Sequence, residues 1–112
     1  MRTLEFKVKS QKLSKLPGCD FSSIVAGSKG YLKAKFYFEL NEEWNTCRKV
    51  AVFTGTDDVE VEYPVLLDED NSCEIPSEVL TRSKFKVYVI GARTKPIFKI
   101  QTKPMTIKQE VM

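Results

Sequence analysis

Few side chains in this chain of 112 residues could carry out catalysis. Histidine is absent, which removes the usual general base, the Ser-His and Cys-His nucleophilic pairs, and the imidazole ligand of many zinc sites. The glycines of residues 27–30 have neither the Walker nor the dinucleotide-binding spacing. We therefore expect a protein that is not an enzyme and that uses no cofactor and no small-molecule substrate.

Two clusters of carboxylates are the remaining candidates for acid–base chemistry or for a metal site. They lie within residues 57–62 and 68–74. A pair of carboxylates can cleave a glycosidic bond when a cleft holds the two at the right separation. Both clusters, however, lie in predicted turns, where Asp and Asn bond to the local backbone, and the second lacks the Gly and the closing Glu of a calcium loop. We expect solvated turns and no metal site.

A face of mixed aromatic and basic residues is the clearest candidate for binding. It belongs to the predicted strand 31–40 and carries two tyrosines and two lysines: Tyr31, Lys33, Lys35 and Tyr37. Proteins that bind single-stranded nucleic acids use such interleaving, and Tyr is equally common at protein interfaces. Glu39 shares the face, and a net charge of +3 without a basic stripe makes nucleic acid the less favoured ligand. We predict a protein interface here, with Arg93 as a further candidate contact.

The elements that would position these residues are strands. Apolar and polar residues alternate at four places: residues 3–9, 31–40, 59–63 and 85–90. The run 50–53 is apolar on both faces, which is typical of a central strand. Residues 77–80, which follow Pro76, form the only helical turn that we expect, and residues 91–96 are predicted to be a hairpin loop.

Short strands separated by turns at this spacing predict an all-β fold. We expect one domain over residues 1–112, an antiparallel immunoglobulin-like β-sandwich of about seven to nine strands with at most one short helical turn. Trp44 is expected to pack across the core. The other predicted core residues are apolar residues of the alternating strands: Leu4, Phe6, Val8, Leu32, Ala34, Phe36, Phe38, Val50, Val52, Phe85, Val87 and Val89.

The cysteines indicate a reducing compartment. Cys19, Cys47 and Cys73 are odd in number and include no C-x-x-C pair, so we expect buried or inert thiols. No apolar run follows Arg2 as it would in a signal peptide, and none reaches the roughly 18 residues of a spanning helix. We expect no contact with a membrane.

Five segments occur in a recognisable order along most of the chain: residues 30–36, 43–44, 49–53, 73–80 and 85–91. The sharpest is Cys-Glu-Ile-Pro-Ser-Glu-Val-Leu, which leads into a strand that ends in Gly. This order resembles the small immunoglobulin-like domains of phage tail and baseplate proteins. It is similar to the N-terminal domain of the baseplate upper proteins of phages that infect Gram-positive bacteria.

The resemblance implies a module that docks to other proteins of a virion, without catalysis. Such a module would be made in the cytoplasm of the host bacterium and assembled into the particle. An inhibitor of a host defence protein, of the anti-CRISPR kind and acting by protein–protein contact, is an open alternative because fold does not settle function. Single-stranded nucleic acid binding and self-association also stay open.

Overall fold

Strands dominate the secondary structure, as the alternation predicts. The computed structural model describes residues 1–39, 42–55 and 61–111. These ranges contain nine strands: β1 Arg2–Lys9, β2 Lys12–Lys15, β3 Leu32–Phe38, β4 Arg48–Gly55, β5 Glu62–Leu66, β6 Ser72–Glu74, β7 Lys84–Thr94, β8 Ile97–Gln101 and β9 Met105–Lys108. The all-β class is confirmed. Parts of several predictions lie outside the described residues: Leu40, the turn at Asn41, and the acidic turn and strand start at 56–60.

Two sheets pack against each other. The first has the order β2-β1-β3-β6, and the second has the order β5-β4-β7-β8 with β9 also beside β7. Strands β1 and β3 are parallel, with Phe6 opposite Phe36, whereas we expected antiparallel pairs throughout. Alternation shows which face a side chain takes but not the direction of its strand. A parallel pair needs a long crossover, which β2 and residues 16–31 provide.

The long connection between β2 and β3 is tied to the rest of the fold. Ile24 is buried, and the backbones of residues 24–26 and Glu110 exchange two hydrogen bonds of 2.6 and 2.8 Å. The guanidinium of Arg2 donates to the carbonyls of Asp20 and Ser22, at 2.9 and 2.7 Å. These contacts tie the crossover to the start of β1 and to the segment that follows β9.

The core lies between the sheets and is rich in aromatic rings. Phe6 and Phe36 stack with their centroids 5.0 Å apart, and Phe38 packs at the margin, partly buried. In β4 the core prediction is wrong for Val50, which is partly exposed, whereas Val52 is buried as predicted but on the outer face; Ala51 and Phe53 are the residues that face inward. Because residues 50–53 are all apolar, alternation does not show which of them face inward. The register with β7 decides which residues do. Val50 and Val52 therefore lie on the outer face.

Gly91 does not begin a loop, contrary to our prediction for residues 91–96. Strand β7 continues to Thr94, and the chain turns only at Lys95 and Pro96. A Cβ on Gly91 would lie 2.8 Å from two ring carbons of Trp44. This glycine is therefore needed for the close approach of a side chain and not for a turn.

The described residues also contain two short helical turns, one more than expected. The predicted turn after Pro76 is a 3₁₀ turn at Ser77–Val79. The second, α1, spans Glu42–Asn45 and carries Trp44, which is fully buried as predicted. Its indole Nε1 donates to the carbonyl of Ser10 at 2.9 Å. Because so short a helix has little stability of its own, we attribute α1 to the burial of this indole.

Candidate protein-binding surface

The four predicted interface residues of β3 share the outer face of the first sheet. Tyr31 directly precedes the strand, and Tyr31 and Tyr37 are both exposed. Lys33 and Lys35 are half-buried. The parallel partner β1 places Glu5 opposite Lys35 and Lys7 opposite Tyr37, so acidic and basic residues alternate across the face.

The ring of Tyr37 is already engaged by its neighbours. Its hydroxyl donates to Glu5 Oε2 at 2.5 Å, and this hydrogen bond, followed by burial, raises the pKa of Tyr37. The Lys35 Nζ lies 5.4 Å from the ring centroid, over one side of the ring. A base would have to displace that cation in order to stack there. The geometry thus favours a solvated, mixed-charge face.

Arg93 belongs to a different surface, at the far end of β7. Its guanidinium lies over the ring of Phe98, 4.6 Å from the centroid, and its Nη1 donates to Thr46 Oγ1. The buried Nε has no acceptor among the described residues. A recess lined in part by Glu43 separates α1 from this hairpin. Arg93 thus links the β7–β8 hairpin to Thr46, next to α1, and does not belong to the face that carries Tyr31 and Tyr37.

The middle of the outer face of the second sheet is apolar, which we did not predict. The register places Leu66 and Ile90 on either side of Val50, and Pro64 and Tyr88 on either side of Val52. We call the following set the apolar face: Val50, Val52, Pro64, Leu66, Tyr88, Ile90, Ala92 and Ile97. Leu66 is 58% exposed, and Ile97, beside the hairpin turn, is 91% exposed.

One half of the apolar face is covered by the chain's own side chains. The hydroxyl of Tyr88 on β7 donates to Glu62 Oε2 on β5 at 2.6 Å, so the bond passes over the intervening β4. Beneath it, Val52 is only 4% exposed and Thr54 is buried. This hydrogen bond, followed by burial, raises the pKa of Tyr88 to about 12. The other half, toward Leu66 and Ile97, stays open.

The sequence does contain a sign of this surface. The run 50–53 is apolar on both faces, and we interpreted that pattern as a central strand. Strand β4 is indeed central in its sheet. Its outer side chains, however, form a surface together with Leu66 and Ile90, and only the pairing of strands that are distant in sequence shows this.

The second acidic cluster forms a turn that is closed by its own side chains. Asp68 Oδ1 accepts from the Ser72 backbone N–H at 3.0 Å, and the Ser72 hydroxyl lies within hydrogen-bonding distance of carboxylate oxygens of both Asp68 and Asp70. Hydrogen bonding to Asp68, and then to Ser72, lowers the pKa of Asp70 to about 2. Asp68 therefore bonds to the local backbone, as we predicted for the carboxylates of this turn. Residues 1–39, 42–55 and 61–111 contain no group of three or more Cys, Asp or Glu placed to hold a metal ion.

The cysteines are unpaired within the described chain. Cys47 and Cys73 are buried, and Cys19 is half-buried. Burial, with a further contribution from Asp68, raises the pKa of Cys73 to about 12. A thiol with so high a pKa is a poor nucleophile at neutral pH.

Comparisons of the chain with known protein families, with curated proteins and with solved structures find no match. Within the part of the chain that the structure describes, no helix is long and apolar enough to cross a membrane.

Proposed function

We propose that this chain is a non-enzymatic protein-binding module and that the apolar face is its binding surface. The observation that supports this most directly is the contrast between the two outer faces. An antiparallel sheet with one face in water normally alternates apolar inside and polar outside. The first sheet follows this rule on β1 and β3, whereas β4 presents Val50 outward beside Leu66 and Ile90.

The size of the apolar face suits a binding role. Strands lie about 4.8 Å apart and every second residue of a strand, about 6.6 Å further along, points to the same side, so the eight residues of the apolar face cover about 250 Å². Tyr88 and Glu62 already cover part of this area. Exposed apolar patches of a few hundred Å² on monomers are often functional. At about 25 cal/mol per Å², covering such a patch contributes roughly 6 kcal/mol before the cost of association is subtracted. That cost is of similar size, so polar contacts around the patch must add to the affinity.

The resemblance in segment order gives this binding role a biological setting. We propose that the chain is a virion-associated module of a phage tail or baseplate. It would be made in the bacterial cytoplasm and would dock to another virion protein. An inhibitor of a host defence protein could use the same surface, and the experiment below separates the two.

Quantitative mass spectrometry of purified particles of the source phage tests the virion role. We expect the chain at a reproducible copy number per particle. A phage that encodes Leu66→Glu should incorporate less of it, whereas Lys33→Glu, on the outer face of the first sheet, should be incorporated normally. If the chain is abundant in infected cells but absent from particles, the virion role is wrong and the host-protein inhibitor takes its place.

A further inference from the structure

We infer that the partner of the apolar face presents an apolar surface bordered by carboxylates. This inference rests on the proposed binding function. Three cations border the open half of the face. Arg48 and Lys99 flank Ala92 in one row of the sheet, and Lys95 lies in the turn next to Ile97. All three are exposed, and none forms an ion pair with a described residue.

Negative charge is scarce on the strands of this face. Among the described residues of β4, β5, β7, β8 and β9 that point outward, Glu62 is the one carboxylate, and its Oε2 already accepts the hydrogen bond from Tyr88. Two exposed carboxylates, Asp68 and Glu69, line the recess beside Leu66 and Arg48, and Asp68 accepts a hydrogen bond from the Ser72 backbone N–H. The open half of the face is therefore apolar at its centre and positive at its hairpin end, where Lys95 and Lys99 lie, and a complementary partner needs carboxylates at that end.

The size of the patch gives the cations a role in binding. A stable interface buries about 800 Å² on each partner, roughly three times the area of the apolar face. The additional area must come from the surroundings of the patch. On the open side these surroundings include Arg48, Lys95 and Lys99, so a partner that covers Leu66 and Ile97 fully also contacts these cations.

A second copy of this chain fits the same face less well than a partner with more carboxylates of its own. Around a two-fold axis, each apolar face would meet the same face of the other copy. Each copy would bring three cations, Arg48, Lys95 and Lys99, against the carboxylates Asp68 and Glu69 beside Leu66, and Asp68 is already bonded to Ser72.

Peptide selection on the full-length chain tests the inference without knowledge of the natural partner. The probe is a displayed library of random 16-residue peptides, with peptides that still bind a Leu66→Glu variant removed. We expect the remaining binders to combine Asp or Glu with aliphatic or aromatic residues. Arg48→Glu should weaken their binding about fivefold or more, as expected for the loss of an exposed ion pair. Lys33→Glu should leave it unchanged.

A charge exchange sharpens this test. Replacing the acidic residues of a selected peptide by Lys should abolish its binding to the natural chain and partly restore binding to Arg48→Glu. Each variant is first shown to have the unfolding midpoint of the natural chain. Leu66, Arg48 and Lys33 all lie on outer faces, so we expect these variants to fold.

The other outcomes are distinguishable. Selected peptides that require Leu66 but lack acidic residues would overturn the charge inference and leave the binding face in place. A selection that leaves no binders once the peptides that also bind Leu66→Glu are removed would overturn both proposals. A dimer in sedimentation equilibrium that Leu66→Glu dissociates would make a second copy the partner. Binding to phosphatidylglycerol vesicles that Leu66→Glu abolishes would replace the protein partner by a membrane.

Discussion

Replacing Gly91 by Ala should destabilise the fold through one identifiable contact. Gly91 lies in the interior of β7 and is buried, and the ring of Trp44 lies directly on it. An added Cβ would be 2.8 Å from Cε3 and from Cζ3 of that ring and 3.1 Å from Cys47 Cβ. Carbon atoms pack at about 3.5 to 4.0 Å, so the indole must move by almost 1 Å.

The indole has little freedom to make that movement. Trp44 is fully buried, its ring centroid is 5.0 Å from that of Phe38, and its Nε1 is bonded to the Ser10 carbonyl. Overpacking of a tight core costs about 1 to 3 kcal/mol. We expect Gly91→Ala to lower the free energy of unfolding by about 2 kcal/mol, which lowers the melting temperature by roughly 8 °C in a domain of this size.

Urea denaturation followed by circular dichroism measures this change. Gly55→Ala is the matched control, because Gly55 is also a strand glycine but has open space around its Cβ position. The control should be neutral or slightly stabilising, since Ala restricts the unfolded chain. In a Trp44→Phe background, Gly91→Ala should cost clearly less, as a double-mutant cycle would show. Equal effects at Gly91 and Gly55 would refute the role assigned to this contact.

Three further predictions concern the core, a hydroxyl and a thiol. Phe36→Ala should lower the free energy of unfolding by about 3 to 5 kcal/mol and Lys33→Ala by less than about 0.5, and a loss under about 1 kcal/mol for Phe36 would mean that the faces of β3 are reversed. The pKa of Tyr88 is 10.0 when unperturbed and about 12 in the folded protein, so the stability that it contributes is complete below pH 10 and is lost as the pH rises through 12. Unfolding at several pH values should therefore show the deficit of Tyr88→Phe shrinking over that interval, and a constant deficit would contradict it. Cys73, with a pKa of about 12 against a model-compound value of 9.0, should react with iodoacetamide at pH 8 about a thousandfold more slowly in the folded than in the unfolded chain, whereas Cys19 should be labelled first in a pulse read by peptide mass spectrometry.

Alternation predicted the fold class because it depends only on neighbouring residues. In β1 and β3, one face is apolar and the other polar, so the inward set follows directly from the sequence. The direction of these strands could not be predicted from the sequence, since a parallel and an antiparallel pair show the same alternation. The turn α1 did not follow either, because Trp44 is held there by the distant residues Gly91 and Ser10.

The candidate site depends on which alternate residues of β4 face outward, and only the tertiary structure determines this. With Val50 inside, β4 would show Ala51 and Phe53 to solvent, and Leu66 and Ile90 would have to turn inward with it. The observed register instead gives the inner positions to Ala51 and Phe53, whose partners on β7 are Val89 and Val87. A one-residue shift exchanges the two faces of a strand.

The orientation of β4 also explains why the predicted interface on β3 differs from the apolar face that we propose as the binding surface. The sequence predicts an interface at Tyr31 and Tyr37 because tyrosines that alternate with lysines are typical of binding surfaces. In the structure, however, Tyr37 is bonded to Glu5 and has Lys35 over its ring. Val50, Leu66 and Ile90 are aliphatic residues of the kind that usually form a core, so the sequence does not indicate that they form a surface. They become a surface because three strands that are separated in sequence place them side by side on the outward face.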